Sequence, residues 1–135
     1  MRRKRRVELL PVDSTDLSLM YEGRFDFPLI AVAGMESGKH MIGFGGLAWV
    51  DGKCWLWVDY VDMKRTHPMV MVRAAQRMLR KAWQLGETEV RARRDVGLEP
   101  LSEKLLMLLG FTKLSGDEKT EDWVTWPHSP QLPLG

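Results

Sequence analysis

Apolar residues fall along this chain in two rhythms, short runs of five to ten and one long stretch at helical spacing. Val7 to Val12 is a short apolar run ended by Asp13-Ser14-Thr15-Asp16. That pattern predicts a strand and then a helix capped at Ser14, Thr15 or Asp16, where a side-chain oxygen can accept from the helix's first free amides. Gly23 and Pro28 interrupt soon after, so this helix is short. Leu29 to Met35 is a second apolar run, closed by Glu36-Ser37-Gly38-Lys39. His40 to Val50 and Lys53 to Val61 read as the third and fourth strands, joined by Asp51-Gly52.

Asp-Gly between two apolar runs is a strong hairpin signal, because a two-residue turn needs positive φ at both central residues. The turn fixes the register: Val50 opposes Lys53, Ala48 opposes Trp55 and Gly46 opposes Trp57. Each of these tryptophans then lies across from a small residue. Leu47, Trp49, Cys54, Leu56, Val58 and Tyr60 take the other face. Apolar residues on both faces predict a central hairpin, covered on both sides.

From Pro68 the rhythm changes. Met71, Ala75, Met78, Leu79, Ala82 and Leu85 recur at helical spacing, while Arg73, Arg77, Arg80, Lys81 and Gln84 fill the opposite side. Proline suits a first helical turn, Thr66 or His67 can cap it, and Gly86 stops it. The helix spans about 18 residues, roughly 27 Å. Thr88 to Asp95 alternates as a fifth strand, and Pro100 to Leu109 is a second amphipathic helix stopped by Gly110. Phe111 to Leu114 begins another strand, Ser115-Gly116-Asp117 turns the chain, and Asp122 to Trp126 returns. Antiparallel hairpins followed by strand–helix–strand units predict an α/β (α+β) fold. Its mixed, mostly antiparallel sheet has six to seven strands, with helices on both faces.

Composition and charge narrow the function. With 135 residues and 44% apolar content, the chain can bury one core. We divide it into a basic arm over 1–6, a single domain over 7–126 and a proline-containing tail over 127–135. No apolar run is long enough for a membrane span. Cys54 is the only cysteine, which places the chain in a reducing, cytoplasmic setting. His40, His67 and His128 stand singly, without metal-ligand spacing. The formal net charge is +2, yet Arg2, Arg3, Lys4, Arg5 and Arg6 carry five positive charges, so the remainder is net negative. A nucleic-acid surface would have to rest on that arm with Arg91, Arg93 and Arg94, and nucleic acid is not the expected partner.

Chemistry is expected where the fourth strand turns into the long helix, between Asp62 and His67. Amides at a helix start converge on one spot, and the helix dipole favours negative charge there, which makes an anion cradle. Lys64 and Arg65 add positive charge beside it. Asp59 and Asp62 are candidate bases and Tyr60 a candidate acid.

The order of elements over residues 7–126 resembles the GNAT superfamily of acyl-CoA-dependent N-acyltransferases. The resemblance is carried by Val7 to Asp16, by Gly43-Phe44-Gly45-Gly46-Leu47-Ala48-Trp49, by Val58 to Val61 with the helix after it, and by Leu101 to Phe111 ending Leu109-Gly110-Phe111. It implies a fourth strand splayed from the fifth, with the pantetheine of acetyl-CoA in the gap. Val61 and Met63 would then offer backbone to the pantetheine. Lys64, Arg65, Thr66, His67, Met69 and Met71 would lie around the pyrophosphate.

The sequence departs from the family's pattern in two ways. The family's phosphate-loop glycines fall here on Met69 and Met71, and no glycine occurs from 53 to 85. Leu106 stands where the family often has a tyrosine that protonates the departing thiolate, and Glu99-Pro100 replaces an asparagine. The resemblance therefore implies an acetyltransferase acting on an unknown amine, as monomer or homodimer. The alternative is a GNAT-fold protein that has lost acyl transfer and binds a protein partner. The chain also resembles small GNAT-like proteins of tailed bacteriophages, through its length, Ser14-Thr15-Asp16 and Gly52-Lys53-Cys54-Trp55. That likeness would make it a particle-assembly factor, associated with the virion.

Overall fold

The computed structural model describes residues 7–13, 27–36, 40–60, 68–96 and 102–127. Its strands are β1 (Val7–Val12), β2 (Leu29–Glu36), β3 (His40–Val50) and β4 (Lys53–Tyr60), then β5 (Val90–Asp95), β6 (Thr112–Gly116) and β7 (Thr120–Thr125). Helix α1 (Pro68–Gln84) joins β4 to β5, and α2 (Glu103–Leu108) joins β5 to β6. The strands form one seven-stranded sheet in the order β1-β2-β3-β4-β5-β7-β6. Only the β4–β5 neighbours run parallel; the other neighbouring pairs are antiparallel. This is the mixed, mostly antiparallel sheet expected. The helix expected after Asp13 lies outside the described residues.

The central hairpin has the expected register, Ala48 opposite Trp55 and Gly46 opposite Trp57. Asp51 and Gly52 turn it with φ of 52° and 74°, the mirror-image turn whose twist matches that of the flanking strands. Strand β3 can pass close to β2 because Gly46 has no side chain: a Cβ there would lie 1.8 Å from the Ile30 carbonyl oxygen.

The apolar stripe of α1 (Met71, Val72, Ala75, Met78, Leu79 and Ala82) packs on Leu47, Cys54, Leu56, Val90 and Ala92 of the sheet. Leu105 and Leu106 of α2, with Leu109 and Phe111 beyond it, join the same core. Arg73, Arg77, Arg80 and Lys81 are exposed, as the helical spacing predicts. Leu85 departs from the expected stripe: it lies past the end of the helix and is 53% exposed. There the chain leaves the helix at Gly86, with φ of 89°. The Gly86 amide donates to Trp83 O and the Glu87 amide to Ala82 O, which satisfies the last carbonyls. Helix α2 ends the same way, through Gly110 to Met107 O and Phe111 to Leu106 O.

The last hairpin corrects the sequence reading. Strand β6 runs on to Gly116, and the turn falls at Asp117 to Lys119. Asp117 Oδ1 accepts from the amides of Lys119 and Thr120 at 2.7 and 2.9 Å, a side-chain turn that outcompetes Ser-Gly as the bend. Strand β5 begins at Val90, two residues later than expected.

Candidate functional site

Strand β4 is joined to its two neighbours in very different ways. Against β3 it pairs without a break from Gly43↔Tyr60 to Val50↔Lys53. Against β5 it pairs only at Trp55↔Arg91. Beyond Trp55 the strands part, as the splay implied in the sequence analysis requires. Among the described residues, no strand pairs with β4 on that side beyond Trp55. The guanidinium of Arg93 lies 5.3 Å from the Trp55 ring centroid and bridges the two strands beside their one pairing.

Helix α1 starts where the strands are apart. Its first turn holds no acidic residue, which leaves the positive end of the helix dipole without a carboxylate of its own turn. Met69 and Met71, both expected near a pyrophosphate, point different ways. Met69 is 46% exposed, whereas Met71 is buried in the core. Val61, Asp62, Met63, Lys64, Arg65, Thr66 and His67 lie outside the described residues. Tyr60 ends β4 and its backbone pairs with Gly43. Asp59 is half-buried, pairs with Phe44 across β3, and by strand alternation shares a sheet face with Trp57. Phe44 and Trp57 pack edge to face there, ring centroids 5.9 Å apart.

Between β1–β4 and the first half of α1 lies a cleft of about 530 Å³, counting its open mouth. Pairing explains the space. Leu9, Gly34, Gly43 and Tyr60 form one cross-strand row, and Pro11, Val32, Gly45 and Val58 the next. Val32 and Val58 pack with α1 residues, so alternation puts both rows on the α1 side. Gly34, Gly43 and Gly45 leave this floor bare, and Ala74 and Ala75 leave the helix side short. The lining is almost wholly apolar, and Asp59 is its only ionisable residue among those described. The alternation of Gly43 and Gly45 within a strand was the available signal, since such glycines mark a close approach or a gap.

A second set of polar groups ties β5, β6 and β7 together. Glu121, 6% exposed, accepts from Arg94 at 2.7 Å and Trp123 Nε1 at 3.2 Å and pairs with Lys113 at 2.8 Å. The Lys113 ammonium first, then Arg94 and Trp123, hold its carboxyl below the ordinary glutamate range. Arg93 pairs with Asp122 and Arg91 with Glu89. The arginines of β5 are thus each paired with a carboxylate of the same chain. Burial, then the charge of Glu87, pushes the Cys54 thiol up to about 12, so it is no nucleophile at neutral pH. Among the described residues no His, Cys, Asp and Glu side chains gather into a group that could hold a metal. No described helix is long and apolar enough to cross a membrane. Leu106, at the expected tyrosine position, is fully buried.

No family model and no curated protein matches the sequence. Solved structures do match. An inferred acetyltransferase from Acinetobacter baylyi ADP1 superposes with a TM-score of 0.69 at 9% identity, covering 98% of this chain and 99% of that one. An inferred GNAT-family acetyltransferase from Bordetella pertussis gives 0.62 at 14% identity over 92% and 96%. Mutant forms of the spermidine/spermine N-acetyltransferase SpeG from Vibrio cholerae give 0.61 at 10% identity over 90% and 95%. Identities this low speak for the fold alone. The chain has the fold of the GNAT acetyltransferases.

Proposed function

We propose that the chain is an acyl-CoA-dependent N-acyltransferase of the GNAT superfamily, acting on an amine. One observation carries this reading: β4 and β5 part after Trp55↔Arg91, and α1 begins at the open end with an acid-free first turn. The open edge of β4 fits an extended pantetheine arm; Val61 and Met63 would offer it backbone, and Lys64, Arg65, Thr66, His67 and Met69 would lie around its phosphates.

A bound acyl-CoA supplies the acyl group as a thioester, whose C–S bond breaks as the amine's C–N bond forms, the sulfur leaving with the electron pair and ending as a thiol. Asp59, half-buried beside the open edge on the Trp57 face of the sheet, takes the proton that the amine loses. Tyr60, the next residue, and Asp62 are the other candidates for proton transfer. Buried Phe44 and half-buried Trp57 exclude water on the Asp59 face.

A second reading is favoured by Leu106, which puts a buried aliphatic side chain where the resemblance calls for a phenol. In that reading the fold is kept, acyl transfer is lost, and the chain binds a protein partner. Calorimetric titration with acetyl-CoA separates the two. Micromolar binding that weakens on Thr66→Glu supports the transferase. No heat at millimolar cofactor supports the binding module.

A further inference from the structure

We propose that the solvent face of α1 is a docking surface for an acidic, helical segment of a partner protein, a role independent of the acyltransferase reading. The surface is a stripe of four cations, and three observations lead to its occupant.

The first is the stripe itself. Arg73, Arg77, Arg80 and Lys81 are all exposed. At about 100° and 1.5 Å per residue they fall within about 100° of arc and along roughly 12 Å of the helix. The opposite side, with Met71, Ala75 and Leu79, is buried in the core, which fixes the direction in which the stripe looks.

The second is that the fold does not use these charges. Among the described residues none of the four forms an ion pair, whereas Arg91, Arg93, Arg94 and Lys113 each face a carboxylate. Helix α1 holds no Asp or Glu in its 17 residues. A solvated helix face ordinarily mixes both signs, with acids three or four residues from bases. Here Arg73 and Arg77, like Arg77 and Lys81, stand four apart, and Arg77 and Arg80 stand three apart. Like charges at these spacings weaken a helix rather than support it. An oriented row of guanidinium groups without internal partners calls for negative charge from outside.

The third is what surrounds the stripe, which selects among polyanions. The net charge of +2 includes five cations in the arm over 2–6 and these four, so the rest of the chain is strongly acidic. A nucleic-acid duplex, wider than one helix, would bring further phosphates against that acidic remainder. A single strand needs aromatic faces for its bases, and the exposed side of α1 offers none; Trp83 is half-buried against the core. A lipid surface needs an apolar helix face to enter it, and that face of α1 is the buried one. A narrow partner with carboxylates on one side meets the stripe alone. A helix with Asp or Glu at every third or fourth position repeats at the same rise, and each guanidinium can take a carboxylate with two hydrogen bonds.

The test is fluorescence anisotropy of the full chain with two labelled, alanine-based helical peptides of about 20 residues and identical composition. One carries its glutamates along one side, three and four residues apart; the other spreads them evenly round the helix. At low salt the one-sided peptide is expected to bind at least ~10-fold tighter, with affinity falling as salt rises. Arg77→Glu with Arg80→Glu, checked for a cooperative melt, should weaken that binding at least ~10-fold and take up the matching one-sided lysine peptide instead. Arg77→Gln with Arg80→Gln should show the loss without that gain, and decides the matter if the reversal does not fold. Equal affinity for the two glutamate peptides overturns the inference, as does no binding at millimolar peptide. A duplex DNA of about 20 base pairs or a phosphatidylserine vesicle that binds more tightly than the one-sided peptide, and is lost in the same variants, also overturns it and assigns the stripe to that polyanion.

Discussion

The two edges of β4 are made from the same eight residues and behave in opposite ways. Its β3 edge is zipped from the Asp51-Gly52 turn to Tyr60, while its β5 edge holds at one point and then opens. The closed edge follows from local chemistry: a tight turn, small residues facing large ones and a short loop-closure distance. The open edge is set by what comes from afar, since β5 arrives only after a whole helix. A sheet can thus keep one seam for stability and another as a template for a ligand's backbone-like amides. The comparison can be broken or sharpened at five points.

The largest effects belong to β3, the strand closed on both sides, against β2 and against β4. Gly46→Ala puts a Cβ 1.8 Å from Ile30 O, and Gly45→Ala puts one 2.6 Å from Trp57 O. Backbone cannot yield cheaply there, so urea denaturation should give a loss of about 4 kcal/mol or more for the first and somewhat less for the second. Asp59→Asn tests the open side. If Asp59 takes the proton, kcat should fall roughly 100-fold or more while KM moves little; an unchanged kcat assigns the base elsewhere. Native-state hydrogen exchange reads both edges at once. Within residues 56–60, amides facing β5 should exchange roughly two orders of magnitude faster than those facing β3, and slow when acyl-CoA is added.

Further from the seam, the effects shrink. The Glu121 carboxyl is held below its unfolded value, so its contribution is present above about pH 4.3 and fades as pH falls through its lower folded value. Glu121→Gln should lower Tm at pH 7 and shrink the difference from wild type in acid; a constant difference across pH would refute the charge-based account. The smallest change is Arg93→Ala. Its guanidinium is exposed, paired with Asp122 and set over Trp55, so loss of stability should stay below about 1 kcal/mol. Exchange at the Trp55↔Arg91 contact should nonetheless quicken.

Much of this was legible in the residues, and the reasons are local. The hairpin register followed from Asp51-Gly52, and α1 followed from Pro68, its apolar spacing and Gly86. The splay came from the family resemblance, because a helix between two strands says nothing of how far they stay paired. The last turn was misplaced because Ser115-Gly116 competes with Asp117, whose carboxylate bonds two amides ahead. The partners of Arg91, Arg93 and Arg94 could be read only once β7 lay beside β5, some thirty residues on. The cleft was missed for a similar reason: glycines from β2 and β3 make a gap only when their rows align. Asp62 and the rest of the corner remain expectations drawn from sequence.

A seven-stranded sheet has two raw margins, and each here carries a safeguard against sticking to its like. Pro11 sits in β1, where a proline can offer no amide to an incoming strand. On the far side, β6 is exposed throughout and is broken by an irregularity between Lys113 and Ser115, with Lys113 held to Glu121. An interrupted, charged border is a poor template for a second copy of itself. The seam between β4 and β5 can therefore stay short at the centre while both rims carry features that discourage strand addition.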